Sequence, residues 1–346
     1  MSPPDIFDAL VEKFLEHKRH TDGRQPRTIA AYRDVLARFK VFMAGRDPRT
    51  AQEDELLLFT GLHLNKQFGL HARSRIPYVA CIRGFYSWLQ QRGQCEVNLA
   101  ARIEYPAAGK PLPDVMSMAS AEKLMAAPDF SRFEGVRDAA MMALLIGCGL
   151  RVSGLVGLNR SALVEYELRD RYARTERRLG VRTLEKGNKE RLLPIPREAE
   201  LLIRMYLEHP DRAGIDAHLK DGDEVLFVNT INRRCPPHEW VGEKRRLTAR
   251  GVQRIIERYA DKVGVPRREA HPHAARHLFG TELTEDDTPL QVTGALLGHG
   301  SAESTKIYTH LALRKATSVV DKAGPLSKIK TPASALLGMM KERFTV

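Results

Sequence analysis

The residues with most chemical potential lie in five short runs. Leu296-Leu297-Gly298-His299-Gly300 is followed by Lys306-Ile307-Tyr308-Thr309-His310, with Tyr308 nine residues after His299. Upstream lie Pro272-His273-Ala274-Ala275-Arg276-His277, Gly149-Leu150-Arg151-Val152-Ser153 and Glu185-Lys186-Gly187-Asn188-Lys189-Glu190-Arg191. Within them Arg151, Arg276, Lys186, His273, His299 and Tyr308 offer two arginines, a lysine, two histidines and a tyrosine. A phosphodiester repels nucleophiles, and further charge gathers on its oxygens at the five-coordinate transition state. Guanidiniums bind such oxygens with forked hydrogen bonds and never deprotonate. The inventory therefore suits attack by a phenolic oxygen on a phosphodiester without a metal. Each residue alone has a plainer reading: Tyr308 as an aromatic packing beside Ile307, Arg151 as a solvated helix start, either histidine as a satisfied core residue. Lys189 competes with Lys186 as the mobile hairpin cation.

Taken in order, these motifs resemble those of the tyrosine recombinases, the phage-integrase and Xer-type family. The family's G-L-R-x-S arginine matches Arg151, the lysine of its K-G-x-K-x-R hairpin Lys186, and its H-x-x-R His273 and Arg276. Its L-G-H matches His299 and its Y-x-H nucleophile Tyr308. The spacing also fits, with 23 residues from Arg276 to His299 and nine more to Tyr308. The likeness extends to Thr28-Ile29-Ala30-Ala31-Tyr32, to Ile82-Arg83-Gly84-Phe85-Tyr86-Ser87-Trp88-Leu89 and to Asn98-Leu99-Ala100, so it covers the chain to about residue 315. Three features depart from the pattern. Gly154 stands where the family carries an acidic residue. The Arg151-to-Lys186 interval is long, with a charged stretch at 165–178, and there is an apparent insertion at 231–246.

The resemblance implies a role for each matched residue. Arg151 and Arg276 would clamp the phosphate as an oxyanion hole does. Tyr308 would attack phosphorus and form a 3′-phosphotyrosyl link. Its hydroxyl, ordinarily near pKa 10, needs a base or a positive field. Lys186 would protonate the departing 5′-oxygen, its pKa lowered by neighbouring cations. His273 would take the phenol's proton or hold the phosphate, and His299 would donate to the phosphate. No cofactor is expected. The histidines lack a zinc-ligand pattern and no phosphate-binding G-x-x-x-x-G-K-[ST] loop is present. The expected partner is double-stranded DNA, engaged by a homo-tetramer on paired sites through a Holliday junction. Two alternatives remain open: a DNA-binding protein of this fold weakened in catalysis by Gly154, and a type IB-like DNA-relaxing enzyme.

The elements that position these residues belong to a chain of 346 residues, long enough for two domains. The formal net charge of +12 suits a polyanion partner. The four cysteines, Cys81, Cys95, Cys148 and Cys235, show no paired spacing, as expected for a reducing compartment. The first residues lack a basic-then-apolar signal, and a cytoplasmic location is expected.

Periodicity predicts a mainly helical chain with a small antiparallel sheet. Helical spacing links Ile6, Leu10, Phe14 and Leu15, then Ile29, Tyr32, Leu36 and Phe39 behind a Thr28 cap, then Val79 to Leu89. These suggest a small helical bundle over residues 1–107, which the resemblance implies is the helical core-binding domain. Prolines mark a linker at 108–112. A catalytic domain over 113–315 follows, with an apolar helix leading to Arg151 and strands between Leu163 and Pro196. A hairpin turn is expected at Lys186-Gly187-Asn188-Lys189, and helices at 198–208, 249–263, 276–283 and 289–297. The tail, 316–346, is expected to begin as loop. A short helix with the apolar stripe Leu336, Leu337, Met340 and Phe344 would then be donated to a neighbouring protomer.

Overall fold

The computed structural model describes residues 5–109, 113–169, 175–185, 189–232, 235–298 and 310–343. It divides into two compact units, Met1–Pro111 and Leu112–Val346. The secondary structure is mainly helical, with one three-stranded antiparallel sheet.

The first unit contains α1 (Ile6–His20), α2 (Pro26–Phe42), α3 (Glu53–Leu58), α4 (Leu64–Phe68) and α5 (Ala72–Gln91). Its core is aromatic. Phe7, Phe14, Phe39, Phe59, Phe85 and Tyr86 are fully buried, with Phe14 edge-on to Phe85 at 5.3 Å between ring centroids. Such pairs add about 0.5–1.5 kcal/mol beyond the area they bury. The Tyr86 hydroxyl, buried with its ring, donates to the Pro48 carbonyl at 2.7 Å. Helix α2 starts two residues before Thr28. Pro26 occupies its first turn, where a missing N–H costs nothing, and Gln25 precedes it.

The second unit is built around α7 (Phe133–Cys148), of which every residue but Glu134 is buried. Its apolar run, Ala139 to Ile146, has no polar face and can only be a central helix. Around it lie α6 (Met118–Ala126), α8 (Val152–Val156), α9 (Arg197–Leu207), α10 (Ala249–Val263), α11 (Pro272–Glu285) and α12 (Leu290–Leu297). One charge inside this core is fully partnered. Asp138 accepts from Arg137 Nε and Nη2 at 2.9 and 2.7 Å, and from the Tyr259 hydroxyl of α10 at 3.0 Å.

Strands β1 (Leu163–Arg169), β2 (Thr175–Glu185) and β3 (Lys189–Pro194) pair in sequence order. Leu163 stands opposite Val181, Thr183 opposite Arg191, and Glu185 opposite Lys189. The described parts of the charged stretch, 165–169 and 175–178, thus belong to the first two strands of the sheet. The 231–246 stretch contains two short 3-10 turns, Pro237–Glu239 and Gly242–Arg245. It closes on Arg246, which donates to the Val156 and Leu158 carbonyls at 3.0 Å each, at the end of α8.

The tail departs from expectation. The chain is already helical as it enters the tail, in α13 (His310–Lys322), and then forms α14 (Pro325–Lys328) and α15 (Pro332–Arg343). Proline at the first turn of α14 and α15 starts each helix and so punctuates the tail without making it a loop. Val320, Ala323, Leu326, Ile329 and Ala333 join the core of the second unit, and Leu336 and Leu337 are half-buried. Met340 and Phe344 of the expected stripe lie outside the described side chains.

Candidate active site

Helix α7 ends on Gly149, whose φ of +59° turns the chain out of the helix. A side chain there would put its Cβ 2.5 Å from the Phe279 ring, so both conformation and space demand glycine. The turn buries Leu150 and makes Arg151 the residue that caps α8. Arg151 is half-buried.

Helix α11 begins four residues earlier than periodicity suggested, at Pro272, because His271 caps it. The His271 Nδ1 accepts from the Ala274 backbone N–H at 3.0 Å. His273 and Arg276 therefore share one helix face, three residues apart. Arg276 is 8 % exposed. Its Nη1 donates to the carbonyl of Gly149 and its Nη2 to that of Leu297. One guanidinium thus joins the turn two residues before Arg151 to the helix end two residues before His299.

His273 is exposed at the mouth of this arrangement. Partial desolvation, followed by the positive fields of His271, His277, Arg276 and Arg151, holds its pKa below the ordinary histidine value. A neutral imidazole at neutral pH is able to accept a proton.

The end of α12 is held by a second arginine. Arg191 of β3 is buried, and its Nη1 donates to the carbonyls of Ala295 and Leu296 at 2.8 Å each. The last three carbonyls of α12 are thus met by two guanidiniums, a favourable pairing at the negative end of a helix. Gly298 then terminates α12 with φ +64°. Sequence reasoning carried Arg191 as the last letter of a motif and gave it no task. Only its distance from α12 in the chain, bridged by the fold, hid it.

Gly154 lies on α8 against β2. A Cβ at this position would come within 3.2 Å of the Thr183 Oγ1. The place of the expected acid is therefore tight against a buried strand residue. Lys186, His299 and Tyr308 lie outside the described residues. The described chain brackets them with Glu185 and Lys189, with Gly298, and with His310. Arg151, His273 and Arg276 are brought together and the other three are not placed. Among the described residues, no three His, Cys, Asp or Glu side chains gather as a metal-binding group, and no helix is long and apolar enough to cross a membrane.

The model of the phage integrase family matches residues 114–314. The tyrosine recombinase XerC of Thermodesulfovibrio yellowstonii is 30% identical over 318 residues, covering 92% of this chain and 97% of its own. Among solved structures, the XerH site-specific recombinase bound to its difH substrate superposes with a TM-score of 0.59 at 20% identity, over 89% of this chain and 83% of its own. A lambda integrase tetramer bound to a Holliday junction gives 0.58 at 12% identity, over 85% and 77%. These two likenesses speak for the fold, and the family match and the XerC identity speak for descent. The chain, with Arg151, His273 and Arg276 assembled at the ends of α7, α11 and α12, belongs to the phage integrase family and is a tyrosine recombinase.

Proposed function

We propose that this enzyme is a site-specific recombinase that cuts and rejoins duplex DNA through a 3′-phosphotyrosyl intermediate and a Holliday junction, with neither metal nor ATP. The observation that carries the reading is the Arg276 guanidinium, which gathers the Arg151 turn and the α12 end into one place. In this reading Arg151 and Arg276 stabilise the equatorial oxygens of the transition state. Tyr308 attacks phosphorus, His273 receives the phenol's proton, Lys186 protonates the 5′-oxygen and His299 donates to the phosphate. The phosphotyrosyl bond keeps the energy of the broken one, so a new 5′-hydroxyl can reverse the step. Residues 1–107 would bind the core of the DNA site, 113–315 would cut it, and the last helix of the tail, α15, would dock on a neighbour within a homo-tetramer. The lambda integrase tetramer on a junction supports that assembly by likeness of fold.

The test is covalent trapping on a nicked suicide duplex. The native chain should give a denaturant-resistant adduct that survives excess chelator. Tyr308→Phe should give none while keeping DNA affinity within about twofold, because only the nucleophilic oxygen is lost. An adduct with the Phe variant would assign another nucleophile. No adduct with the native chain would favour a DNA-binding protein weakened at Gly154. Strand exchange between two sites separates a recombinase from a relaxing enzyme.

A further inference from the structure

We propose that Arg191 is a positioning residue for the leaving group: it sets the β2–β3 hairpin that carries Lys186 against the helix end read by Arg276. The inference rests on the reading of Lys186 as the acid. In the step concerned, the Tyr308 Oη–P bond forms and the P–O5′ bond breaks. The phenol's proton passes to His273, and the 5′-oxygen takes a proton from Lys186.

The base of the hairpin is anchored by apolar packing. Val181 on β2 and Leu193 on β3 are buried in the core of the second unit. The ladder between β2 and β3 fixes the strands to each other and leaves the pair's stance toward α12 undetermined. Apolar contact is non-directional. Arg191 lies two residues nearer the tip than Leu193, and it supplies direction. One nitrogen of its buried guanidinium is shared by the carbonyls of Ala295 and Leu296. The next carbonyl, that of Leu297, takes Arg276. The hairpin and the phosphate-binding arginine are therefore registered on consecutive residues of one helix end. Opposite Arg191 in the ladder stands Thr183, buried beneath Gly154. The contacts close a circuit from the Arg151 helix through Thr183, Arg191, α12 and Arg276 back to Gly149. Lys186 lies five positions before Arg191, so loss of the shared donor would act on it through the strand while the base stays packed.

The experiment compares single-turnover adduct formation on two nicked duplexes. One has the ordinary phosphodiester. In the other, sulfur replaces the bridging 5′-oxygen, and the thiolate leaves without needing a proton. Lys186→Ala serves as the reference, with Arg191→Met and Arg191→Lys as the test variants. Arg191→Met should slow the ordinary substrate about 100-fold, the scale of an ångström's misplacement. The sulfur substrate should recover most of that loss, as it does for Lys186→Ala. Arg191→Lys, with a single-headed donor, should lie between the two and show the same selective recovery. If Lys186→Ala recovers and neither Arg191 variant does, Arg191 acts on the whole site and the proposal falls while the acid assignment stands. If Lys186→Ala itself fails to recover, the acid assignment falls and takes the proposal with it. Should Arg191→Met not fold, the recovery ratio of Arg191→Lys decides alone.

Discussion

Gly154 and Thr183 meet so closely that a Cβ at 154 would lie 3.2 Å from the threonine Oγ1. Thr183 is 5 % exposed and sits on a paired strand, so it has little freedom to retreat. A side chain placed here needs the threonine to give way by a few tenths of an ångström.

Gly154→Glu is expected to lower stability by about 1–3 kcal/mol, the usual cost of overpacking. Adduct formation should fall or stay level. Chemical denaturation and suicide-substrate trapping read the two effects. A large gain in adduct rate would mean that Arg151 lacks support in the native chain and would favour the weakened-binder reading.

If His273 receives the phenol's proton, its neutral form is the active one. Its lowered pKa puts the acid limb of the rate profile below the ordinary histidine value of about 6.5. His277→Asn, one helical turn further on, removes one source of positive field and leaves the His271 cap in place. The limb should then move upward in pH. A limb that stays in place or moves down would point to a different base.

Glu198 on α9 is 6 % exposed and accepts a hydrogen bond from the Thr331 hydroxyl of the tail. Burial raises its pKa to about 7, against the opposing effect of that bond. The folded chain thus holds a proton that the unfolded chain gives up near pH 4.3. The associated stability is full below that value and is lost as pH rises through about 7. Glu198→Gln keeps an acceptor for Thr331 and removes the titration. It should stabilise the protein by roughly 1–3 kcal/mol at pH 8 and by almost nothing at pH 4. Urea unfolding at the two pH values checks this. An equal effect at both would show that Glu198 does not change protonation on unfolding.

DNA affinity should fall steeply with salt, given a formal net charge of +12. A complex making about 6–10 phosphate contacts loses roughly 10³–10⁵ in affinity between 50 and 200 mM salt. Fluorescence anisotropy on a duplex measures the slope. A flat response would remove electrostatics from the account of binding.

What the sequence revealed follows the range of each signal. The apolar run of α7 was legible because a helix with no polar face has one possible setting. The hairpin was legible from Gly187-Asn188 and the flanking strand residues. Helix α11 starts four residues before its periodic pattern does, since a histidine cap carries a weaker signal than serine or aspartate. Gly324-Pro325 and Pro332 suggest loop in the early tail, yet each proline opens a helix, and the late helix of the tail lies where its apolar spacing predicts one. Arg191 and Thr183 carry no local signal at all. Their tasks depend on partners far along the chain, Ala295 and Leu296 for the first and Gly154 for the second.

The sheet has a second consequence, for engineering. Arg178 of β2 is 2 % exposed, and its guanidinium donates to both carboxylate oxygens of Asp321, at 2.6 and 3.0 Å. Tyr166 of β1 meets Thr317 through their hydroxyls at 2.9 Å. The first two strands and α13 therefore form one transplantable module, though more than a hundred residues lie between them in the chain. A chimera that imports α13 without Tyr166 and Arg178 would leave Asp321 with only Arg197 of α9 as its basic partner among the described residues. Grafts that move strands and helix together keep both locks intact.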